Sequence, residues 1–132
     1  MSKILSRDDI LSANDLPKEL VEVPEWGGSV YVRGLNGLER DKFEISCAEQ
    51  KGKNTTLNLE NVRSKLLVLT ICDEDGNRLF NDADLANFCK KSAIPISKLF
   101  DIAQRLSGLL DNDIKKMSED FLPSQGGDSI SA

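Results

Sequence analysis

The chain reads as an α+β fold, predominantly helical: an N-terminal β-hairpin followed by a compact bundle of about four to five helices. Two observations predict it. Residues 20–23 and 30–32 are short β-favouring runs on either side of Glu25-Trp26-Gly27-Gly28, a turn signal. Beyond them, apolar residues recur at the three-and-four spacing of amphipathic helices as far as Phe121. With 132 residues, 39% hydrophobic and 30% charged, the chain is long enough to bury a core without disulfides or metal. The pattern implies one domain over residues 1–121 and a flexible polar tail over 122–132, where small and polar residues dominate.

Each element follows from local chemistry. Ser6 suits a helix N-cap, with Asp8 and Asp9 at the positive end of the dipole, and Ile10 and Leu11 are expected to be the buried side. Asn14, Asp15 and Pro17 stop that helix. Leu20, Val21 and Val23 are extended up to Pro24, and Val30, Tyr31 and Val32 return as the second strand. Asn36 is a candidate N-cap for a helix beginning at Leu38, with Phe43, Cys47 and Ala48 as its buried stripe, helped by Leu38 and Ile45. The polar stretch from Gln50 to Thr56 breaks the pattern and reads as a mobile loop.

Asn58 is placed to cap the clearest helix, in which Leu59, Val62, Leu66, Leu69 and Ile71 recur and Leu67 and Val68 widen the apolar arc. So wide an arc predicts a central, heavily buried helix. Asp73-Glu74-Asp75-Gly76-Asn77 resembles the start of a calcium loop, but Gly76 falls too early and Asp84 stands where a bidentate Glu is required. A tight turn into Arg78, Leu79 and Phe80 is the better reading. Asn81 or Asp82 caps a short helix with Leu85, Phe88 and Cys89 on its apolar face. Pro95 fits the first turn of a further helix whose stripe is Ile96, Leu99, Phe100, Ala103, Leu106 and Leu110, loosened at Gly108. Asp111 or Asn112 caps a last helix carrying Ile114, Met117 and Phe121.

Composition then excludes chemistry. There is no His, so no Ser-His-Asp or Cys-His arrangement exists and no imidazole metal site. Cys47, Cys72 and Cys89 are widely spaced without a CxxC pair, and read as small buried hydrophobes in a reducing compartment. No Gly-rich phosphate cradle is present. No cofactor or metal is expected, and an enzyme is disfavoured; only a site of carboxylates alone stays open. The net charge of −5 and the isolated basic pairs Lys51/Lys53, Lys90/Lys91 and Lys115/Lys116 argue against a nucleic-acid surface. The longest apolar run, Leu66 to Ile71, is too short to span a bilayer, and the N-terminus lacks a signal-peptide core. A cytoplasmic protein follows.

The segment EVPEWGGSVYVRGLNGLERDKFE, residues 22–44, resembles the N-terminal signature of tail assembly chaperones of long-tailed bacteriophages. The opening residues 5–11, the turn DEDGNRLF and the order of helices fit the same family to about residue 121. That resemblance implies a non-enzymatic factor in the host bacterial cytoplasm. It would bind the tape measure protein, help recruit major tail tube subunits, and be absent from the virion. It also implies possible self-association and a longer form made by frameshifting. A structural tail joining or adaptor protein is the alternative, and a small helical nucleic-acid-binding regulator a more distant one.

Trp26, Tyr31 and Arg33 are the candidate partner-binding residues, because aromatic and Arg side chains dominate recognition hot spots. Two other roles stay open. Trp26 and Tyr31 serve equally as anchors of the hairpin on the helices. Arg33, Glu39, Arg40 and Asp41 serve equally as an internal charge network fixing the hairpin to the following helix.

Overall fold

The computed structural model describes residues 2–51, 54–57 and 61–109. Its elements, in chain order, are α1 (Arg7–Ser12), β1 (Lys18–Val23), β2 (Gly28–Arg33), α2 (Gly37–Cys47), β3 (Ala48–Lys51), β4 (Asn54–Leu57), α3 (Val62–Thr70), β5 (Ile71–Cys72), α4 (Leu85–Phe88) and α5 (Ala93–Leu106). The α+β, mainly helical class holds, with the hairpin near the start, preceded only by the short α1 and followed by the other helices.

Strands β1 and β2 pair antiparallel from Val23↔Gly28 to Lys18↔Arg33. A 3-10 turn at Pro24–Trp26, closed by the Gly27 N–H on the Pro24 carbonyl at 3.0 Å, joins them. Strand alternation sends Val21, Val23 and Val32 into the core and leaves Leu20 on the outer face. The sheet has a third member. β5 pairs with β2 through Tyr31↔Cys72 and Val32↔Ile71, giving the order β1-β2-β5. Ile71 is therefore a strand residue, whereas helical spacing assigns it to the preceding helix. Its N–H still bonds the Leu67 carbonyl, so the chain turns from helix to strand without a linker.

Helix α3 is the central element expected. Leu66, Leu67, Val68, Leu69 and Thr70 are all buried, between α5 on one side and the sheet and α2 on the other. From α5, Ile96, Leu99, Phe100 and Ala103 are buried and Leu106 is half-buried, which is the predicted stripe. Pro95 sits buried in its first turn. The α5 helix lies along β1, tied by Lys98 Nζ to the Glu22 carbonyl at 2.6 Å and by Arg105 to Glu19 at 2.9 Å.

Several expectations need correction. Helix α1 is capped by Ser6 as predicted, with Asp9 N–H donating to Ser6 Oγ at 3.2 Å, but Ile10 and Leu11 are 58% and 68% exposed. The helix is only six residues long and none of its residues is buried. On α2 the buried stripe is Glu39, Phe43 and Cys47, one residue per turn, while Leu38 and Ile45 are each 72% exposed. A narrow stripe suffices because α2 meets the body along one edge. Ala48 is not the end of that stripe; it opens β3. The segment expected to be a mobile loop is a second hairpin, with β3 and β4 paired from Ala48↔Leu57 to Lys51↔Asn54. Gly108 does not loosen α5. The helix ends at Leu106, and Gly108 beyond it adopts φ +72, where a left-handed residue terminates a helix. The proposed cap Asn58, the core positions Leu59 and Leu110, the last helix and the tail lie outside the described residues; Asn61 occupies the N-cap of α3.

Gly34 marks the closest approach of the sheet to α5. A Cβ there would lie 2.5 Å from the Leu106 carbonyl oxygen and 3.2 Å from its carbon, and its own N–H bonds the Pro17 carbonyl at 2.9 Å. Since both neighbours are backbone, neither moves aside easily. Gly34→Ala is expected to destabilise the protein by about 1–3 kcal/mol, the cost of overpacking. Urea unfolding would show it as a lower midpoint at unchanged slope, and an unchanged midpoint would refute the contact.

Candidate partner-binding site

The three residues singled out from the sequence fall in three different environments. Arg33, the last residue of β2, is 6% exposed and Glu39, in the first turn of α2, 8%. The guanidinium grips the carboxylate with two parallel bonds, Nη1 to Oε1 at 2.7 Å and Nη2 to Oε2 at 2.8 Å. It also donates from Nη1 to the Gly34 carbonyl at 3.0 Å and from Nε to the Gly76 carbonyl at 2.8 Å. Glu39 also accepts the Asn36 N–H at 3.2 Å, while Asn36 Oδ1 accepts the Glu39 N–H at 2.8 Å. That reciprocal pair is a capping box. One carboxylate thus starts α2 and binds the end of β2. Of the wider network read from the sequence, Arg33 and Glu39 are its core, whereas Arg40 pairs along its own helix with Glu44 at 3.3 Å.

The turn over Arg33 is the one predicted at Asp73. Asp73 Oδ1 accepts the N–H groups of Asn77 and Asp75, each at 2.9 Å, and the Asp73 N–H bonds the Asn77 carbonyl at 2.8 Å. The N–H groups donated by Asn77 and Asp75 hold the Asp73 carboxyl below the usual range. Arg78 closes the turn from the far side, with Nε and Nη2 both 3.2 Å from the Val68 carbonyl.

Tyr31 lies half-buried on the outer face of the sheet, with the Lys18 ammonium 4.9 Å from its ring centroid. Lys18 Nζ also donates to the Glu74 carbonyl.

Trp26 belongs to a different cluster. The 3-10 turn at the hairpin tip carries it to α4, where its ring meets Phe88 edge-on, centroids 6.1 Å apart at 74°. Phe88 meets Phe80 in the same manner at 5.2 Å and 61°. Phe88 is buried, while Trp26 and Phe80 are half-buried and stand at the walls. Together with Asp84, Asn87 and Lys91 they line an open, mainly apolar trough of about 230 Å³. The sequence does not single out Phe80 and Phe88 as recognition residues. Phe80 follows a turn and Phe88 sits on a short apolar face, so only the fold brings them to Trp26.

Two of the three thiols, Cys47 and Cys72, are buried. Burial pushes both the Cys47 and Cys72 thiols up, away from the reactive thiolate. Cys89 is half-buried and directs its Sγ toward the Ala86 carbonyl at 3.3 Å.

The chain belongs to the phage tail assembly chaperone family, whose model matches residues 9–120. Its fold is similar to the solved structure of the bacteriophage HK97 tail assembly chaperone. The TM-score is 0.55 at 18% identity, covering 79% of this chain and 95% of that one. Comparison with curated proteins finds no match.

The Arg33–Glu39 pair sets a pH dependence. Burial alone would raise the Glu39 carboxyl, but the Arg33 hydrogen bonds, the Asn36 N–H and the charges of Arg33 and Arg78 outweigh it and hold the group below its ordinary value of 4.5. A lowered folded value means that the pair's stabilisation is complete above the unfolded value and lost as pH falls through the folded one. Glu39→Gln is expected to destabilise the protein by about 3 kcal/mol at neutral pH, because Arg33 is left buried without its counter-charge. Chemical unfolding at stepped pH should show the gap to wild type narrowing in acid; a gap that stays constant would refute the assignment.

Proposed function

We propose that this chaperone holds apolar helical stripes of the tape measure protein in the Trp26–Phe80–Phe88 trough until tail tube subunits replace it. The single observation that carries the reading is the trough itself: two half-buried aromatic walls on a buried aromatic floor, open to solvent and edged by Asp84 and Lys91. An amphipathic helix presents such a groove with apolar side chains at one per turn, and the polar rim sets its direction. The trough is small, so each copy grips weakly. Many copies along one long helix supply the total hold through multivalency and still release one at a time.

The remaining candidates take distinct parts. Tyr31 and the exposed Leu20 share the outer face of the sheet, across one strand pair, and form a second contact patch for major tail tube subunits. Arg33 acts as a positioning residue, since its donors are engaged within the fold. The exposed apolar residues of α1 and the segment before it, Ile4, Leu5, Ile10 and Leu11, supply the surface for self-association between neighbouring copies. This work takes place in the host cytoplasm, and the chaperone leaves before the virion is complete. Among the described residues no helix is long and apolar enough to cross a membrane.

Co-expression with the tape measure protein provides the test. Asn87→Arg places bulk at the exposed rim of the trough without entering the core. Trp26→Ala removes one wall, and a hot-spot aromatic contributes about 2 kcal/mol. Both variants are expected to keep the wild-type circular dichroism spectrum and to lower the soluble yield of the tape measure protein severalfold. Undiminished yield with both folded variants would remove the trough from the mechanism.

A further inference from the structure

Among the described residues β1 is the outer strand of its sheet, in the order β1-β2-β5. We infer that this edge pairs with the same edge of a second copy of the chain, joining two three-stranded sheets into one across a two-fold axis at Leu20.

The register gives the direction of the backbone groups. The Gly34 N–H bonds the Pro17 carbonyl at 2.9 Å, so at Pro17 the chain turns its backbone toward β2. Antiparallel pairing alternates that direction from residue to residue. Glu19, Val21 and Val23 therefore face β2 as well, opposite Val32, Val30 and Gly28. The N–H and C=O groups of Lys18, Leu20 and Glu22 point the other way. The Lys98 ammonium reaches the Glu22 carbonyl at 2.6 Å, in keeping with that outward direction. The side chains of the same three residues share the outer face of the sheet and are exposed, Leu20 by 58%.

Those three positions are complementary to themselves. When a second copy lies antiparallel with Leu20 opposite Leu20, Lys18 meets Glu22 of the second copy and Glu22 meets its Lys18. Opposite charges face each other twice and two leucines meet on the axis, each a stabilising cross-strand pair. The same register sets the outward N–H groups of each strand against the outward C=O groups of the other. A shift of two residues either way places Lys18 or Glu22 against Leu20 and runs the third position past the strand end. Pro17 and Pro24 bracket β1, and neither can donate to a longer ladder, so the pairing is confined to this window.

The contacts already made at the edge are compatible with it. Lys98 engages one of the two lone pairs of the Glu22 carbonyl. The Lys18 ammonium lies over Tyr31 and donates to the Glu74 carbonyl, and turning to a carboxylate exchanges a neutral acceptor for a charged one. Helix α5 packs against both β1 and β2, on the core face of the sheet. Across the joined sheets, Tyr31 and Leu20 of the two copies form one row on the outer face. The pairing rests on neither the aromatic trough nor the α1 surface. A strand pair this short falls below the about 1,200 Å² of a standard interface, so the dimer is weak.

Sedimentation velocity of the full chain over roughly 10 μM to 1 mM, the range in which so small an interface associates, tests the inference. Monomer is expected at the low end and dimer at the high end, with slower amide hydrogen exchange at Leu20 and Glu22 over the same range. Lys18→Glu and Glu22→Lys each bring like charges together twice and should each weaken the dimer about tenfold. The double variant restores opposite charges, and so does an equimolar mixture of the two single variants. Both should dimerise again, which damage to the fold would not allow. Monomer at every concentration would overturn the pairing. So would slow exchange of the Leu20 amide at every concentration, the mark of an edge covered by the chain itself. A dimer that both single variants leave intact would put the contact on another surface and overturn it equally.

Discussion

Three separately folded pieces of the chain meet at one guanidinium. Arg33 ends β2, Glu39 begins α2, and Gly76 belongs to the turn that follows β5; the hydrogen bonds of Arg33 reach all three. The residue lies on the face of the sheet opposite the valines of the core, a face that solvent would ordinarily cover. It is buried because the Asp73 turn and the start of α2 fold over it. A buried ion pair is weak evidence for net stability, since two charges must leave water. Its value is directional. A bidentate fork admits one relative placement of strand end and helix start, and the capping box makes α2 begin at that same point. Hydrophobic contacts between these pieces would tolerate sliding; this pair does not.

The central helix imposes the second constraint. With Leu66, Leu67, Val68 and Leu69 buried in succession, α3 must be covered on nearly every side. The sheet, α2, α4 and α5 are the covering pieces, and each presents a stripe matched to the part of α3 that it meets. This explains why α2 needs so few buried residues and why α5 carries the longest regular stripe. It also explains the abrupt passage from Thr70 into β5. The apolar arc has to continue onto the sheet, and pairing with β2 satisfies backbone groups that burial would otherwise strand.

Legibility in the sequence follows how local each signal is. The hairpin, the Ser6 and Asn36 caps, the Asp73 turn and the α5 stripe all rest on neighbours a few residues apart, and all are present. Ile71 is misassigned by spacing because an unbroken apolar run contains no mark where helical period gives way to strand pairing; the partner strand decides it. The β3–β4 hairpin looks like a loop because its polar sequence shows no alternation, and a two-stranded ribbon does not require any. Leu38 and Ile45 fit a helical stripe by spacing, but a sequence does not reveal how wide a face the body will cover. At the candidate site, Trp26 is visible as a lone aromatic on a turn, and the Arg33–Glu39 link is visible as nearby opposite charges. Phe80 and Phe88 are not, since their meeting with Trp26 is a product of topology alone.

That topology also connects stability with recognition. One wall of the aromatic trough hangs from the tip of the hairpin and the other from the segment after β5, and both strands pair with β2. The spacing of the walls is therefore inherited from β2 and from the charge pair that fixes its end. An edge-to-face aromatic contact is worth only about 0.5–1.5 kcal/mol, too little to set that spacing unaided. A trough held this way is preorganised by distant, strong and directional bonds while its own surface stays shallow and weakly adhesive. Such a division suits a protein that must meet its partner in one orientation and later let go. If the trough holds the partner as proposed, strengthening the trough itself would slow release, whereas strengthening the Arg33 junction would sharpen orientation and leave release unchanged.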